Sequence, residues 1–205
     1  MVSTTAVSAS WKNNMKPLNI AVLGGTTRVK RESDKVARYI ATYGSSLPDI
    51  EVTYVDPAEF SFPDDGNDDA DHNQAGGKDP RYSAITAAAD AFFIIVPEYN
   101  HSFSGSLKRM LDSELQTYNH KPVALAGVSS GAWGGVRGVE SLVPAVRETG
   151  LVVLSWDIYF PYVQNMFDGT GSIRAEHKQR YDRNLGKLYD ELIWMAKLLR
   201  SGRTD

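Results

Sequence analysis

The stretch "AFFIIVPEYN", residues 91–100, decides the fold, because a continuous apolar run ends abruptly in polar and aromatic side chains. Such a run without alternation is typical of a strand that is buried on both faces of a parallel sheet. Pro97 removes a backbone donor and ends the strand, and Glu98, Tyr99 and Asn100 crowd its exit. The function of the protein therefore depends on what this strand end holds.

The same alternation of apolar runs and helical periods recurs along the chain. Further strands are predicted at 18–25, 50–56, 121–130 and 151–160. Apolar residues at three- and four-residue spacings predict helices over 33–44, 82–90, 104–115, 135–150 and 175–200. Pro144 lies inside the fourth helix and is expected to kink it or shift its register. Five strands separated by helices predict one parallel sheet that is covered on both faces.

The composition is that of an ordinary soluble domain. With 205 residues the chain is long enough for one core, and we expect a single domain over 18–200 after a disordered tail, 1–17. A net charge of −3 gives no sign of a nucleic-acid or membrane-surface binder. The absence of cysteine excludes disulfides, thiolate metal sites and thiol catalysis, and it is compatible with the reducing cytoplasm.

An acidic segment covers residues 61–80, with six acidic residues against one basic residue, Lys78. Its glycines and prolines predict a long solvated loop. The spacing in "DDGNDDADHN" lacks the terminal Glu of an EF-hand loop, so neither calcium nor any other metal is expected.

The first strand exit is "GGTTRVKRES", residues 24–33, which matches neither a Walker loop nor GxGxxG. It offers two hydroxyls and three basic groups, from Thr26, Thr27, Arg28, Lys30 and Arg31. The helix that begins near Ser33 would direct backbone N–H groups at the loop, which suits a phosphate. The alternative interpretation is a capped helix with solvated basic side chains.

The opening stretch is the second exit. Tyr99 and Asn100 would stand at the sheet edge, where backbone N–H groups meet a flat polar ligand, whereas Glu98 could simply pair structurally. His101 is a candidate acid or base, although a lone loop histidine is more often solvated or hydrogen-bonded. Gly105 begins the next helix.

The third exit is "GVSSGAWGGVRG", residues 127–138, whose five glycines allow a ligand to approach the backbone closely. Ser129 and Ser130 add hydroxyls, and Trp133 could stack on a ring or lie at a subunit interface. Ligands of parallel sheets bind beyond the carboxyl ends of the strands. The first exit would form a phosphate loop, and the second and third exits would form two walls for a planar ring. This combination fits a mononucleotide of the FMN type.

The stretches "GGTTRVKRESDKVARYI", "VPEYNHSFSGSLKRMLD" and "SSGAWGGVRGVE" resemble the NAD(P)H-dependent FMN reductase family, with related quinone, azo-dye and chromate reductases, over residues 18–167. This resemblance implies that the FMN phosphate is held by Thr26, Arg28, Arg31 and Ser33. It implies that the ring is flanked by Pro97, Glu98, Tyr99, Asn100, His101 and Ser102. It implies that the loop at the pyrimidine edge of the flavin ring contains Ser129, Ser130, Gly131, Gly134 and Gly135.

The resemblance further implies a flavodoxin-like three-layer α/β sandwich, with a five-stranded parallel sheet in the order 2-1-3-4-5, and a homodimer or homotetramer. No catalytic side chain is expected, because NAD(P)H would pass a hydride to flavin N5 and a quinone, flavin or similar acceptor would then take the electrons by ping-pong. Two alternatives are a flavodoxin-like electron carrier that does not oxidise NAD(P)H, and a flavin-binding sensor or structural subunit.

Overall fold

The computed structural model of the protein describes residues 16–62, 79–114 and 116–203. The strands of this part are β1 (Leu18–Leu23), β2 (Ile50–Val55), β3 (Ala91–Pro97), β4 (Pro122–Val128), β5 (Val152–Val153) and β6 (Ile158–Phe160). The helices are α1 (Ser33–Ser45), α2 (Pro80–Ala88), α3 (Gly105–Asp112), α4 (Val136–Glu148) and α5 (Ala175–Gly202). Most of the predicted tail and of the acidic segment lies outside the described residues.

The strands form one parallel sheet in the order β2-β1-β3-β4-β5, which confirms the predicted order. The predicted fifth strand, 151–160, is divided in two, because β5 pairs with the start of β4 and β6 pairs with its end. The chain leaves the ladder between them, where Asp157 accepts a hydrogen bond of 2.9 Å from the Tyr159 hydroxyl. A continuous strand was therefore the wrong prediction for this segment.

Helices cover both faces of the sheet, so the predicted three layers are confirmed. One face packs against α1 and α5, with Val36, Ile40 and Leu188 in its core. The other face packs against α2, α3 and α4. All residues of β3 and β4 are buried, which explains their unbroken apolar runs. Within the described ranges no helix has the length and hydropathy that a bilayer crossing requires.

Local capping sets helix boundaries that periodicity missed. Helix α2 begins at Pro80, two residues before the prediction, because the Asp79 carboxylate caps it by accepting from Arg81 N at 3.0 Å. Helix α4 continues through Pro144 to Glu148, and Leu142 and Val146 on either side of the proline are both buried. Pro144 therefore does not shift the register of the buried face, which was one of the two effects expected of it.

The amino edge of the sheet is tied together by Asp90, which precedes β3. Its carboxylate accepts from the backbone N of Asn19 at 3.1 Å and pairs with Arg200 at 3.2 Å and Arg203 at 2.8 Å. Arg200 also donates to the carbonyl of Pro17 at 3.2 Å. The start of β1 and the end of α5 are thereby fixed to the same carboxylate.

Lys121 is buried at this edge, and its Nζ donates to the carbonyls of Thr86 and Ala87 at 2.8 and 3.2 Å. These carbonyls belong to the last turn of α2, where a positive charge complements the helix dipole. The pKa of Lys121 is lowered from 10.5 to about 8, chiefly by burial and also by the nearby Arg203, whereas Asp90 opposes the change. Between pH 8 and pH 10.5, Lys121 of the folded protein therefore binds fewer protons than Lys121 of the unfolded chain does.

The first prediction follows from this difference in proton binding. The free energy of unfolding of the wild type, relative to that of Lys121→Met, should rise between pH 8 and 10, because there the unfolded chain holds the proton that folded Lys121 has lost. Urea unfolding of both proteins at several pH values measures the difference. Buried tyrosines are common to both proteins and cancel. A difference that stays constant or falls over this range would contradict the assignment.

Candidate functional site

Three loops leave neighbouring strands at the carboxyl edge of the sheet. The first loop, 24–32, follows β1; the second loop, 98–104, follows β3; and the third loop, 129–135, follows β4. Leu23 of β1 lies beside Ile94 of β3, and Val96 lies beside Gly127 of β4. The three strand exits that were predicted to form one site are therefore adjacent.

Gly25 brings the first loop into direct contact with β3. A Cβ atom at this position would lie 1.9 Å from the Ile95 carbonyl oxygen and 2.4 Å from Pro97 Cδ. No side chain fits at such distances, and the obstructing carbonyl belongs to the central strand of the sheet. The Ser104 hydroxyl, which caps α3 by accepting from Leu107 N, also donates to the Gly25 carbonyl.

Thr26 joins the first loop to the second. It is buried, and its Oγ1 lies 3.0 Å from the Tyr99 hydroxyl and accepts from the backbone N of Arg28 at 3.3 Å. The family resemblance implied that Thr26 holds the phosphate and that Tyr99 flanks the ring, and the structure shows these two side chains in contact. The side chains of Arg28 and Lys30 extend from the exposed part of the same loop.

Arg31 is placed differently from Arg28. Its guanidinium forms an ion pair with Asp56 at the exit of β2, lies 3.8 Å from Asp34, and donates to the Arg28 carbonyl at 3.3 Å. Its charge is therefore neutralised and its direct role is to fix the loop. Ser33 is the first residue of α1 and is buried, and no side chain in the described part of the chain caps the start of this helix.

The second loop contains a tight turn. Tyr99 N donates to the Ser102 carbonyl at 2.7 Å and Ser102 N to the Tyr99 carbonyl at 2.9 Å. Between them Asn100 and His101 have left-handed φ values of 48° and 67°. In the part of the chain that the structure describes, the backbone N–H groups of Asn100 and His101 donate to no acceptor. These two donors are available to a ligand.

Glu98 does not extend freely towards a ligand, because it forms an ion pair with Arg137 in the first turn of α4. The side chain of Glu98 is only 7% exposed. Arg137 also donates to His101 Nε2 at 2.7 Å, so His101 accepts through an unprotonated ring nitrogen. Sequence reasoning did not assign Arg137, although it lies in the quoted motif; its basic charge at a helix start was the available signal.

The third loop turns sharply at Gly134 and Gly135, whose φ values are 63° and 90°. A Cβ on Gly135 would lie 2.3 Å from Val128 N. The N–H of Ser129 donates to the Phe160 carbonyl at 3.2 Å, so this donor is used within the protein.

The N–H groups of Ser130 and Gly131 in the third loop donate to no acceptor among the described residues, so a ligand could accept from them. The Ser129 hydroxyl donates to the Gly131 carbonyl at 3.0 Å, which steadies this part of the loop. Among the described residues, nothing lies within 4 Å of the Cβ position of Gly131, so the space in front of it is open.

Two exposed aromatic residues border the third loop. Trp133 is 67% exposed, and Tyr162 is 51% exposed with a left-handed φ of 48°. Tyr162 N donates to the Gly131 carbonyl at 3.2 Å, which fixes it to the loop. A bulky residue with this backbone conformation is unusual, and no sequence pattern pointed to it.

A cavity of about 230 Å³ lies beside the first loop, on the side of α3. It is lined by Thr27, Pro57, Phe60, Ser61, Phe62, Ser106 and Arg109. The backbone N of Thr27 donates to the Ser106 hydroxyl at 3.4 Å, so the start of α3 closes this side of the loop.

The arrangement fits a mononucleotide with a planar ring. Basic side chains and an uncapped helix start adjoin the first loop, which suits a phosphate. Unpaired N–H groups of the second and third loops, with open space at Gly131, suit the polar edge of a ring. No cluster of three or more potential metal ligands occurs among the residues described.

The fold and this site define a mononucleotide-binding α/β domain. Residues 18–162 match the model of the NADPH-dependent FMN reductase family, and the chain belongs to that family. The family resemblance of the sequence is thereby confirmed, and FMN with NAD(P)H as co-substrate is confirmed at the level of the family.

Several curated proteins are similar to this chain. It is 29% identical to an NADPH azoreductase of Bacillus sp. (strain OY1-2) over 126 residues, which cover 61% of this chain and 66% of that protein. It is 33% identical to an NAD(P)H-dependent FMN reductase of Pseudomonas aeruginosa over 103 residues, covering 45% of this chain and 53% of that protein. The alignments thus span about half to two thirds of these relatives.

Solved structures confirm the flavodoxin-like fold. FerB, a flavoenzyme NAD(P)H:(acceptor) oxidoreductase from Paracoccus denitrificans, superposes with a TM-score of 0.66 at 20% identity, covering 88% of this chain and 98% of FerB. A flavodoxin mutant from Pseudomonas aeruginosa superposes with a TM-score of 0.55 at 13% identity, covering 84% of this chain and 99% of the flavodoxin.

The second prediction concerns Gly25. Gly25→Ala should lower the free energy of unfolding by about 3 kcal/mol, the upper part of the range for overpacked sites, because the new methyl group meets the Ile95 carbonyl. Urea unfolding measures the change. Gly105→Ala is the matched control, since nothing lies within 4 Å of its Cβ position. Equal stabilities of the two variants would show that the first loop does not depend on this close approach.

Proposed function

We propose that the protein is an FMN-dependent NAD(P)H oxidoreductase that reduces a small-molecule acceptor. The contact of 3.0 Å between Thr26 Oγ1 and the Tyr99 hydroxyl carries this proposal, because it joins the phosphate loop to the turn beside the ring. A single ligand with an anionic tail and a flat ring spans both loops. Membership of the FMN reductase family supports the same ligand.

The site residues divide into three groups by the part of FMN that they would hold. The phosphate is assigned to Thr26, Arg28 and Ser33, with Arg31 holding the loop through Asp56. The ring is assigned to the turn formed by Pro97, Glu98, Tyr99, Asn100, His101 and Ser102. The pyrimidine edge is assigned to Ser129, Ser130, Gly131, Gly134 and Gly135.

The chemistry that FMN supplies when bound is the transfer of a hydride from NAD(P)H, then of two electrons and the accompanying protons to the acceptor. The chain binds and orients the reactants and excludes water from the buried side of the ring. The N–H groups of Asn100, His101, Ser130 and Gly131 are placed to stabilise negative charge, as an oxyanion hole does. No side chain is assigned as nucleophile, acid or base.

The acceptor that we propose is a quinone or a similar flat conjugated molecule. The curated relatives include an NADPH azoreductase and a 2-hydroxy-1,4-benzoquinone reductase, which supports this class. The open side of the third loop and the exposed Trp133 suit a planar substrate. A homodimer or homotetramer in the cytoplasm completes the proposal; the family resemblance supports the oligomer, and the absence of cysteine is compatible with this compartment.

Anaerobic reduction tests the function directly. The protein purified with FMN should be yellow, and NADPH or NADH should bleach its visible absorbance at once, with reoxidation on addition of a quinone. The flavodoxin-like electron carrier, favoured only by the shared fold, predicts a yellow protein that neither nucleotide bleaches. A protein that binds no FMN would overturn both functions.

The third prediction tests the phosphate assignment. Arg28→Ala should weaken FMN binding at least tenfold, because a hydrogen bond to a charged group contributes about 1.5–3 kcal/mol and 1.4 kcal/mol is a factor of ten. Quenching of flavin fluorescence measures the Kd. Arg147→Ala is the matched control, since Arg147 lies in the last turn of α4, at the opposite edge of the sheet. Full FMN affinity in Arg28→Ala would refute the assignment.

A further inference from the structure

The turn of the second loop holds its donors in a conformation that the backbone alone does not favour. Asn100 and His101 are both left-handed, and neither is a glycine. Such a conformation persists only where the surrounding structure determines it. The N–H groups that the proposed function assigns to the ring lie on these two residues, so their placement depends on whatever holds the turn.

Helix α4 holds this turn through three residues on one side. The guanidinium of Arg137 contacts Glu98 Oε1 through Nη2, and His101 Nε2 through Nη1 at 2.7 Å. Ser141, one turn further on, has its Oγ 2.7 Å from Ser102 Oγ. Gly138 lies between them, and a Cβ there would be 3.2 Å from the Ser102 carbonyl. The turn and the start of α4 therefore form one packed unit.

The position of Arg137 is unfavourable for the helix by itself. It lies in the first turn of α4, which contains no acidic residue, so its positive charge faces the positive end of the helix dipole. Glu98 compensates for this charge, and its side chain is buried, with only 7% exposed. A buried carboxylate and a basic group each need the other, since removing one leaves an uncompensated charge.

The pair also retains unused polar atoms. Glu98 Oε2 and Arg137 Nε are buried and have no hydrogen-bond partner among the described residues. The pair is thus not optimised for its own hydrogen bonds. Instead, the planar guanidinium of Arg137 bridges Glu98, which follows the end of β3, and His101, which lies inside the turn. We call this two-pronged contact the fork.

Helix α4 begins directly after the third loop, with Gly135 as the residue before its first turn. Arg137 therefore stands two residues from one wall of the site and contacts the other wall. This fork fixes the distance between the donors of the second loop, Asn100 and His101, and those of the third loop, Ser130 and Gly131.

We propose that Arg137 is a positioning residue that sets the stability of reduced FMN relative to oxidised FMN, an inference that rests on the proposed function. The guanidinium keeps the N–H donors of the second loop at a fixed distance from those of the third loop. These donors stabilise the negative charge of the reduced ring. Loss of the fork releases the turn, so reduced FMN loses more affinity than oxidised FMN does.

The experiment compares holoprotein of the wild type, Arg137→Gln, Arg137→Lys and the control Arg147→Gln. Fluorescence quenching gives the Kd of oxidised FMN, and an anaerobic spectroelectrochemical titration gives the midpoint potential. In Arg137→Gln, the Kd of reduced FMN divided by the Kd of oxidised FMN should rise about tenfold. The loss of hydrogen bonds to a charged group has about this effect. A tenfold ratio is a potential about 30 mV more negative for a two-electron couple.

Arg137→Lys keeps the charge beside Glu98 but lacks the fork, so its potential should also fall, with the unfolding midpoint close to that of the wild type. This variant keeps the inference testable if Arg137→Gln does not fold. Arg147→Gln should leave the potential unchanged.

Three results would overturn the inference. Lower stability of both Arg137 variants with an unchanged potential would show a purely structural role. A wild type that binds no FMN would overturn the proposed function and this inference with it, whereas a wild type with FMN and unaffected variants would overturn the inference alone.

Discussion

The missing side chain of Gly25 is the constraint on which the site depends. Two chain segments that are 70 residues apart approach so closely there that an added Cβ would lie 1.9 Å from the Ile95 carbonyl. Because the first loop rests on β3 in this way, Thr26 reaches the Tyr99 hydroxyl, and the loop after β1 and the turn after β3 become two sides of one site. A larger residue would separate them and leave two unrelated surface loops.

The central strands could be predicted from the sequence because their environment is uniform. β1, β3 and β4 are buried between two helical layers, so their apolar runs are unbroken and end where polar residues begin. The fifth strand could not be predicted in the same way. Its break at 154–157 lies beside the hydrogen bond between Tyr159 and Asp157, a local polar contact within a segment that is otherwise rich in strand-forming residues.

The location of the site was predictable, but the roles of its charged residues were not. Parallel strands bring their exits together, so the three polar loops had to meet. Arg28 and Arg31 look equivalent in the sequence, yet Asp56 neutralises only Arg31. Likewise, the sequence left open whether Glu98 adjoins the ligand or pairs structurally, and its ion pair with Arg137 identifies the structural role. Both distinctions rest on partners that are distant in sequence, which neither composition nor periodicity can identify.

The carboxylate of Asp90 has a practical consequence for engineering. It holds the start of β1 and the end of α5 at the edge of the sheet that is opposite to the three loops. A short peptide could therefore join residues near Pro17 and Arg203, with new ends opened elsewhere, to give a circular permutant. Attachment of the protein to an electrode at this edge would likewise leave the ligand side facing the solution.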